Sequence, residues 1–311
     1  MTNFTFALYD AFSDKAFGGS QAGIVFDNDS INGVTLDSDT RLKIAREFGW
    51  PATCFVNSFN SRSISARFYS TIREYPMCGH GTVCLMTMMI EKGILNWDRD
   101  GNIFVELDLS QTKTAVEIRR LENGRALVML DVEIPNHRSA DVDLDKLMTF
   151  LGTNVDGLAE GLPVELIVGS FTHLIVPIRN LDQMKQINPD FEGLRDYCDL
   201  SGIDTVAVFC TEVEIAGNDF HVRDFCPAVG VSESAAAGTT NGALTSYLVK
   251  HRIFSEVATG KIELTSEQGL ELGRPSTLYS VASLRKGELE RIQVGGVATK
   301  IVEGKLSYED Q

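Results

Sequence analysis

Basic residues are the first shortage: 28 Lys and Arg stand against 43 Asp and Glu, a formal charge of −15. A phosphate backbone or an anionic bilayer needs a basic surface, so neither nucleic acid nor membrane is expected as a partner. A small anion stays open, because local arginines and helix ends can reverse the potential inside a cleft. Long apolar runs are missing too, and no stretch reaches the roughly 20 residues that span a bilayer. The opening Met-Thr-Asn-Phe-Thr-Phe carries neither the basic start nor the apolar run of a leader. Six cysteines (Cys54, Cys78, Cys84, Cys198, Cys210 and Cys226) lie scattered in apolar surroundings, without Cys-x-x-Cys spacing. That usage fits free thiols in a cytoplasmic protein and not a disulfide scaffold. The 5 histidines show no paired-ligand spacing, so no metal is expected. Neither a Walker loop nor a Gly-x-Gly-x-x-Gly turn is present, and nothing signals flavin or pyridoxal phosphate. No cofactor is expected.

What is there centres on Tyr75-Pro76-Met77-Cys78-Gly79-His80-Gly81-Thr82-Val83-Cys84. Pro76 should end the preceding segment, and the glycines allow a tight turn close to something bound. The apolar run through Ile90, stopped by Gly93, predicts a helix that is apolar all round and therefore buried. The start of such a helix offers unpaired N–H groups and a positive dipole end to an anion. The same field lowers a thiol's pKa, which makes Cys78 a candidate nucleophile or base. The plainer reading is a glycine turn beside a buried structural cysteine.

At 311 residues the chain suits two domains. Strands are predicted at 4–10, 22–27, 52–56, 63–69, 103–107, 114–120 and 125–133, with a capped helix at 37–48. The texture changes near Ile134-Pro135, giving an N-terminal domain over 1–135 and a C-terminal one over 136–294. Helices follow at 144–151, 181–187 and 191–198, and strands at 164–168, 172–178, 204–210 and 220–225. Each half repeats one order of parts: a strand with an arginine (Arg67, then Arg223), a proline-bearing loop, and a glycine (Gly79, then Gly238) opening a buried helix. This repeat predicts α+β architecture, two pseudo-symmetric barrel-like sheets each wrapped around a central helix. The two helix starts are expected to face an interdomain cleft, where small ligands bind.

At these residues the chain resembles the PhzF-like family of phenazine biosynthesis, within the diaminopimelate epimerase fold. The likeness is carried by Tyr9-Asp10-Ala11-Phe12, Phe17-Gly18-Gly19, Ile44 to Phe48 and Thr53 to Val56. Arg67 to Thr82, Gly230 to Gly238, Gln268-Gly269 and Gly273 to Ser276 extend it. The resemblance implies that the last strand, within 295–311, returns to the N-terminal domain, and that the protein is a homodimer. It also implies a cofactor-independent isomerase.

Departures from the family pattern concern the chemistry. The family's catalytic Glu falls at Ala52, and its Glu-Asp-Pro-Ala-Thr-Gly reads Glu233-Ser234-Ala235-Ala236-Ala237-Gly238. Its Gly-Asn-Pro reads Gly19-Ser20-Gln21. Met77-Cys78-Gly79-His80-Gly81 is instead similar to the catalytic-cysteine motif of proline racemases and hydroxyproline epimerases. The second cysteine of those enzymes is replaced here by Ala237.

The leading reading is a cofactor-independent epimerase or racemase acting at the α-carbon of an amino-acid-like carboxylate, with an N-substituted amino diacid as one option. Cys78 serves as one acid/base, and Glu233 ranks first as the second, ahead of Ser234 and His80. Glu233 could equally hold its loop, and His80 either binds substrate or holds its own turn. Gly79, Gly81, Ser20, Ser234, Gly238, Thr239 and Thr240 are the candidate substrate-binding residues, although ordinary capping uses the same groups. Arg67, Arg73 and Arg223 either meet a second carboxylate or form structural ion pairs. Two rivals remain: a one-base isomerase or dehydratase of the PhzF type, and a non-catalytic homologue that binds a small acid or a partner.

Overall fold

The computed structural model describes residues 2–26, 36–254 and 258–308. The chain divides into two compact units, residues 1–130 with 295–311, and residues 131–294. Among the described residues no helix is long and apolar enough to cross a membrane. Position 27, the end of one predicted strand, and positions 309–311 lie outside the described residues.

The first unit begins with β1 (Thr2–Ala11) and β2 (Ser20–Phe26), then α1 (Ser38–Phe48), β3 (Ala52–Phe59), β4 (Ser63–Tyr69) and β5 (Glu74–Tyr75). It continues through α2 (Gly79–Glu91), β6 (Asn102–Asp108), β7 (Lys113–Arg120) and most of β8 (Ala126–Val132). Most neighbours are antiparallel, but β2 with β3 and β4 with β6 are parallel. A parallel pair needs a crossover, and the two crossovers carry the two helices. Helix α1 is amphipathic, and its Ile44 and Ala45 pack with Phe4, Val25, Phe55 and Tyr69. Asp37 accepts from the Thr40 N–H at 2.7 Å to cap its start, and Gly49 ends it at φ 66°. Helix α2 is buried from Gly81 to Met89, as its unbroken apolar run requires.

The second unit holds β9 (Asn136–Ser139), α3 (Leu144–Phe150), β10 (Glu165–Val168), β11 (Thr172–Pro177), α4 (Leu181–Gln186) and α5 (Phe191–Ser201). After these come β12 (Thr205–Cys210), β13 (Phe220–Cys226), β14 (Val231–Ser234), α6 (Gly238–Lys250), β15 (Gly260–Gln268), β16 (Ser276–Arg285) and β17 (Glu288–Gly296). The parallel pairs recur at corresponding places, β11 with β12 and β13 with β15. Their crossovers again hold surface helices (α4 and α5) and one buried helix, α6. The last strand, β18 (Ala298–Tyr308), pairs antiparallel with β1.

Strands β5, β9, β14, β15, β16 and β17 were not predicted from the sequence. The polar, half-exposed run Asn136-His137-Arg138-Ser139 of β9 lacks the alternation that marks a strand, whereas Ile262, Leu264 and Ser266 of β15 do alternate. Close backbone approach explains one glycine: a Cβ on Gly295 would sit 1.9 Å from the Val128 carbonyl oxygen. Gly161, at φ 78°, has open space around its Cα. In urea unfolding, Gly295→Ala is expected to lose about 3 kcal/mol through overpacking. Gly161→Ala should lose only the about 1–2 kcal/mol of left-handed strain. Equal losses would refute the close packing at Gly295.

Candidate active site

In the first unit the site is the start of α2. Cys78 is the N-cap residue at φ −142° and ψ 108°, and no side chain caps the helix. Its carbonyl is occupied, accepting the Thr82 N–H at 2.9 Å and the Thr82 hydroxyl at 2.8 Å. The N–H groups of Gly79 and His80 find no acceptor among the described residues. A Cβ on Gly79 would meet nothing within 4 Å, so the space over this helix start is open. Gly81 is required for the opposite reason. A Cβ there would lie 2.8 Å from the Phe68 ring and 3.1 Å from Cys78 Sγ.

Cys78 Sγ lies 3.5 Å from His80 Nδ1 and 3.6 Å from Nε2. Burial pushes the thiol up to about 12, and the Gly81 N–H pulls against this without prevailing. This overturns the low thiol pKa expected from the helix end. The side chain is only 6% exposed, and losing water costs a thiolate more than one helix start returns. Burial likewise takes the His80 imidazole down to about 4. At neutral pH the pair is therefore uncharged, a thiol beside a free base.

In the second unit α6 starts the same way. Its N-cap, Ala237, has φ −131° and ψ 111° and offers no capping side chain. The N–H groups of Gly238, Thr239 and Thr240 find no acceptor among the described residues, and Gly238 also faces open space. Gln268 pins the approach loop to the helix. Its Nε2 donates to the Ser234 carbonyl at 2.7 Å, and its Oε1 accepts from Asn241 Nδ2 at 3.0 Å. Ser276 Oγ adds a bond to the Ala235 carbonyl at 2.8 Å.

Several sequence-based assignments change here. Glu233 is no free acid: both oxygens accept from Arg223, Oε1 from Nε and Oε2 from Nη2, each at 2.9 Å. A buried two-point pair of this kind leaves neither carboxylate oxygen free. Arg223 also donates to the Ile187 carbonyl at 2.8 Å, which makes it a loop anchor. Arg67 is likewise structural, donating to the Ala66 carbonyl at 2.7 Å. Thr240 is buried, and its hydroxyl donates to Asp224 Oδ2 at 2.9 Å, so only its N–H is left for a ligand. Thr239 is exposed, Ser234 half-buried, and Ser20 opens β2 opposite Ala11, half-buried. Arg73 is exposed. Ala52 is buried and brings no titratable group.

Sequence reasoning missed Asp224. It is 2% exposed, its Oδ1 has no partner, and burial pushes its carboxyl up to about 7 against the hydrogen bonds from Thr240 and Thr205. Its cross-strand neighbour is Ser234, where the resemblance places an Asp. The repeat supplied a signal. Asp224 follows Arg223 as Phe68 follows Arg67, and in the first unit that position is an ordinary packing ring against Gly81. The fold therefore does not itself demand a carboxylate there.

The chain matches the model of the phenazine biosynthesis-like proteins over residues 9–304. It is 26% identical over 297 residues to the trans-2,3-dihydro-3-hydroxyanthranilate isomerase of Pseudomonas chlororaphis, covering 94% of this chain and 95% of that one. The structure superposes on a PhzF-family phenazine biosynthesis protein of Bacillus anthracis with TM-score 0.86 at 24% identity, covering 99% and 100% of the two chains. A probable proline racemase of Agrobacterium radiobacter shares the fold at TM-score 0.60 and 11% identity, over 98% and 93%. With two uncapped helix starts in a repeated strand order, and a match across nearly its whole length, the chain belongs to the phenazine biosynthesis-like protein family, PhzC-PhzF.

Proposed function

We propose that this protein is a cofactor-independent isomerase that moves a proton at the α-carbon of a small amino-acid-like carboxylate, with epimerisation or racemisation as the leading reaction. The observation that carries the reading is Cys78 Sγ, 3.5 Å from His80 Nδ1 on a helix start with unpaired N–H groups and open space above.

An α-proton beside a carboxylate is a very weak acid, so its removal needs strong stabilisation of the charge that develops. The Gly79 and His80 N–H groups receive the carboxylate and hold the enolate-like oxygens as negative charge moves onto them. The resting thiol and imidazole are both neutral. His80 takes the thiol proton, and the thiolate, poorly solvated and so strongly basic, takes the α-proton. Inversion needs a proton returned to the other face. Within the second unit, Asp224, whose carboxyl burial pushes up to about 7, is a group of matching acidity.

A one-base isomerisation is the second reading. It is favoured by Ala237 standing where a second thiol would cap α6, and by the isomerase name of the Pseudomonas chlororaphis relative. Here the same dyad returns the proton to a different carbon.

NMR of small amino acids and amino diacids in deuterated water distinguishes the two readings. Epimerisation gives exchange with inversion at one carbon, whereas bond migration gives a new spin system. Cys78→Ala and Cys78→Ser are each expected to lose at least about 100-fold in exchange rate, the low end for a positioned acid/base. Near-normal exchange in both would remove Cys78 from the mechanism. Iodoacetamide should leave Cys78 unmodified at pH 7 in the free protein, since its pKa lies at about 12. Fast modification at pH 7 would contradict the neutral dyad.

Asp224 has its own signature. A carboxyl raised in the folded state favours folding below its unfolded pKa of 3.8, and that contribution is lost as pH rises through about 7. Asp224→Asn should therefore flatten the fall in unfolding free energy between about pH 4 and 7. An unchanged pH slope would show that Asp224 does not titrate there.

A further inference from the structure

Within the second unit, a cavity of about 390 Å³ is lined by apolar side chains, among them Ile134, Val249 and Leu284. The same cavity is lined by the polar and charged side chains of His137, Ser246, Lys250, Arg252 and Glu288. Ser246 lies in the third turn of α6 and is 2% exposed. Three buried helical hydroxyls bond back to the carbonyl four residues earlier, Thr82 to Cys78, Thr87 to Val83 and Thr245 to Asn241, while Thr240 donates to Asp224. Ser246 Oγ instead lies 2.8 Å from His137 Nε2, on β9. His137 Nδ1 lies 3.2 Å from Glu165 Oε2, on the neighbouring strand β10.

The partners decide the tautomer. Glu165 is a carboxylate that can only accept, because Lys250 Nζ donates to Oε1 at 2.7 Å and His251 Nε2 approaches Oε2 at 3.1 Å. Burial raises its pKa, but these bonds together with His137 outweigh burial and lower it overall. Nδ1 of His137 therefore carries the hydrogen, and the Nε2 lone pair points at the Ser246 hydroxyl. Burial lowers the His137 pKa against the pull of Glu165, so the ring is a free base at neutral pH. Nucleophile, base and orienting carboxylate are linked by consecutive contacts beside a cavity of mixed polar and apolar lining.

We propose that Ser246, His137 and Glu165 form a second site, an acyl-transfer centre for small carboxylic esters. Ser246 Oγ attacks the ester carbonyl while His137 Nε2 takes its proton. The tetrahedral oxyanion forms in the cavity that Arg252 and Lys250 line. His137 then returns the proton to the departing alkoxide, which leaves as alcohol, with the acyl group on Ser246. Water, deprotonated by His137, releases the acid and regenerates the serine. Glu165 touches no substrate and is a positioning residue.

The full chain, incubated with a fluorophosphonate and with p-nitrophenyl butyrate, provides the test. Expected are one phosphonylated peptide containing Ser246 and ester hydrolysis that Ser246→Ala and His137→Gln each lower at least 100-fold. Cys78→Ala should leave both signals intact, which keeps this centre distinct from the α2 start. Glu165→Gln should lower kcat while KM holds, and Glu165→Asp should recover part of the rate. Ser246→Cys tests the same position with a residue of similar size, expected to trade phosphonate labelling for iodoacetamide labelling that butyrate ester slows. No labelling of the wild type, or labelling that persists in Ser246→Ala, overturns the proposal.

Discussion

The proposed isomerase chemistry depends on leaving the start of a buried helix uncapped by its own side chains. The first N–H groups of any helix lack partners, and proteins ordinarily cap them with Ser, Asp or Asn. This chain does so at α1, α3, α4 and α5, through Asp37, Asp143, Asn180 and Asp190. It does not at α2 and α6, whose N-caps are Cys78 and Ala237. Those two helices are also the ones sealed on all sides. Leaving donors unpaired there has a cost in stability, so their concentration at two equivalent places points to a ligand that satisfies them.

Desolvation and the helix field compete at Cys78, and desolvation prevails. The consequence reaches beyond one pKa. A low-pKa thiolate would be an open nucleophile, prone to oxidation and alkylation. A protonated thiol beside a free imidazole is a dormant pair that becomes basic only when a proton moves between them. On the proposed reading, selectivity for a substrate comes from the binding that precedes this transfer.

The repeated architecture makes differences between the units readable. Both buried helices start from nearly the same backbone angles, yet one N-cap is a thiol and the other a methyl group. One strand sets Phe68 against a glycine, while its counterpart sets Asp224 against a threonine hydroxyl. Evenly matched units would give evenly matched chemistry; one unit here holds a thiol and the other a buried carboxyl raised to about 7. The motif Cys78-Gly79-His80-Gly81, the apolar runs after it and the parallel order of parts were legible because each leaves a local signature. Glu233 misled, because a residue's spacing does not disclose that Arg223 holds both of its oxygens. Asp224, Gln268 and the His137–Ser246 contact were illegible for a related reason. They depend on cross-strand and helix-to-strand neighbours that lie 16 to 109 residues away.

The proposed chemistry requires the α2 start to receive a carboxylate. A titration of the ¹⁵N-labelled protein with small amino-acid carboxylates, followed through backbone amide shifts, measures this directly. Saturable downfield movement of the Gly79 and His80 amides is expected, undiminished in Cys78→Ala, since binding uses the backbone and not the sulfur. Saturation with shifts confined to other regions, and those two amides unmoved, would contradict it.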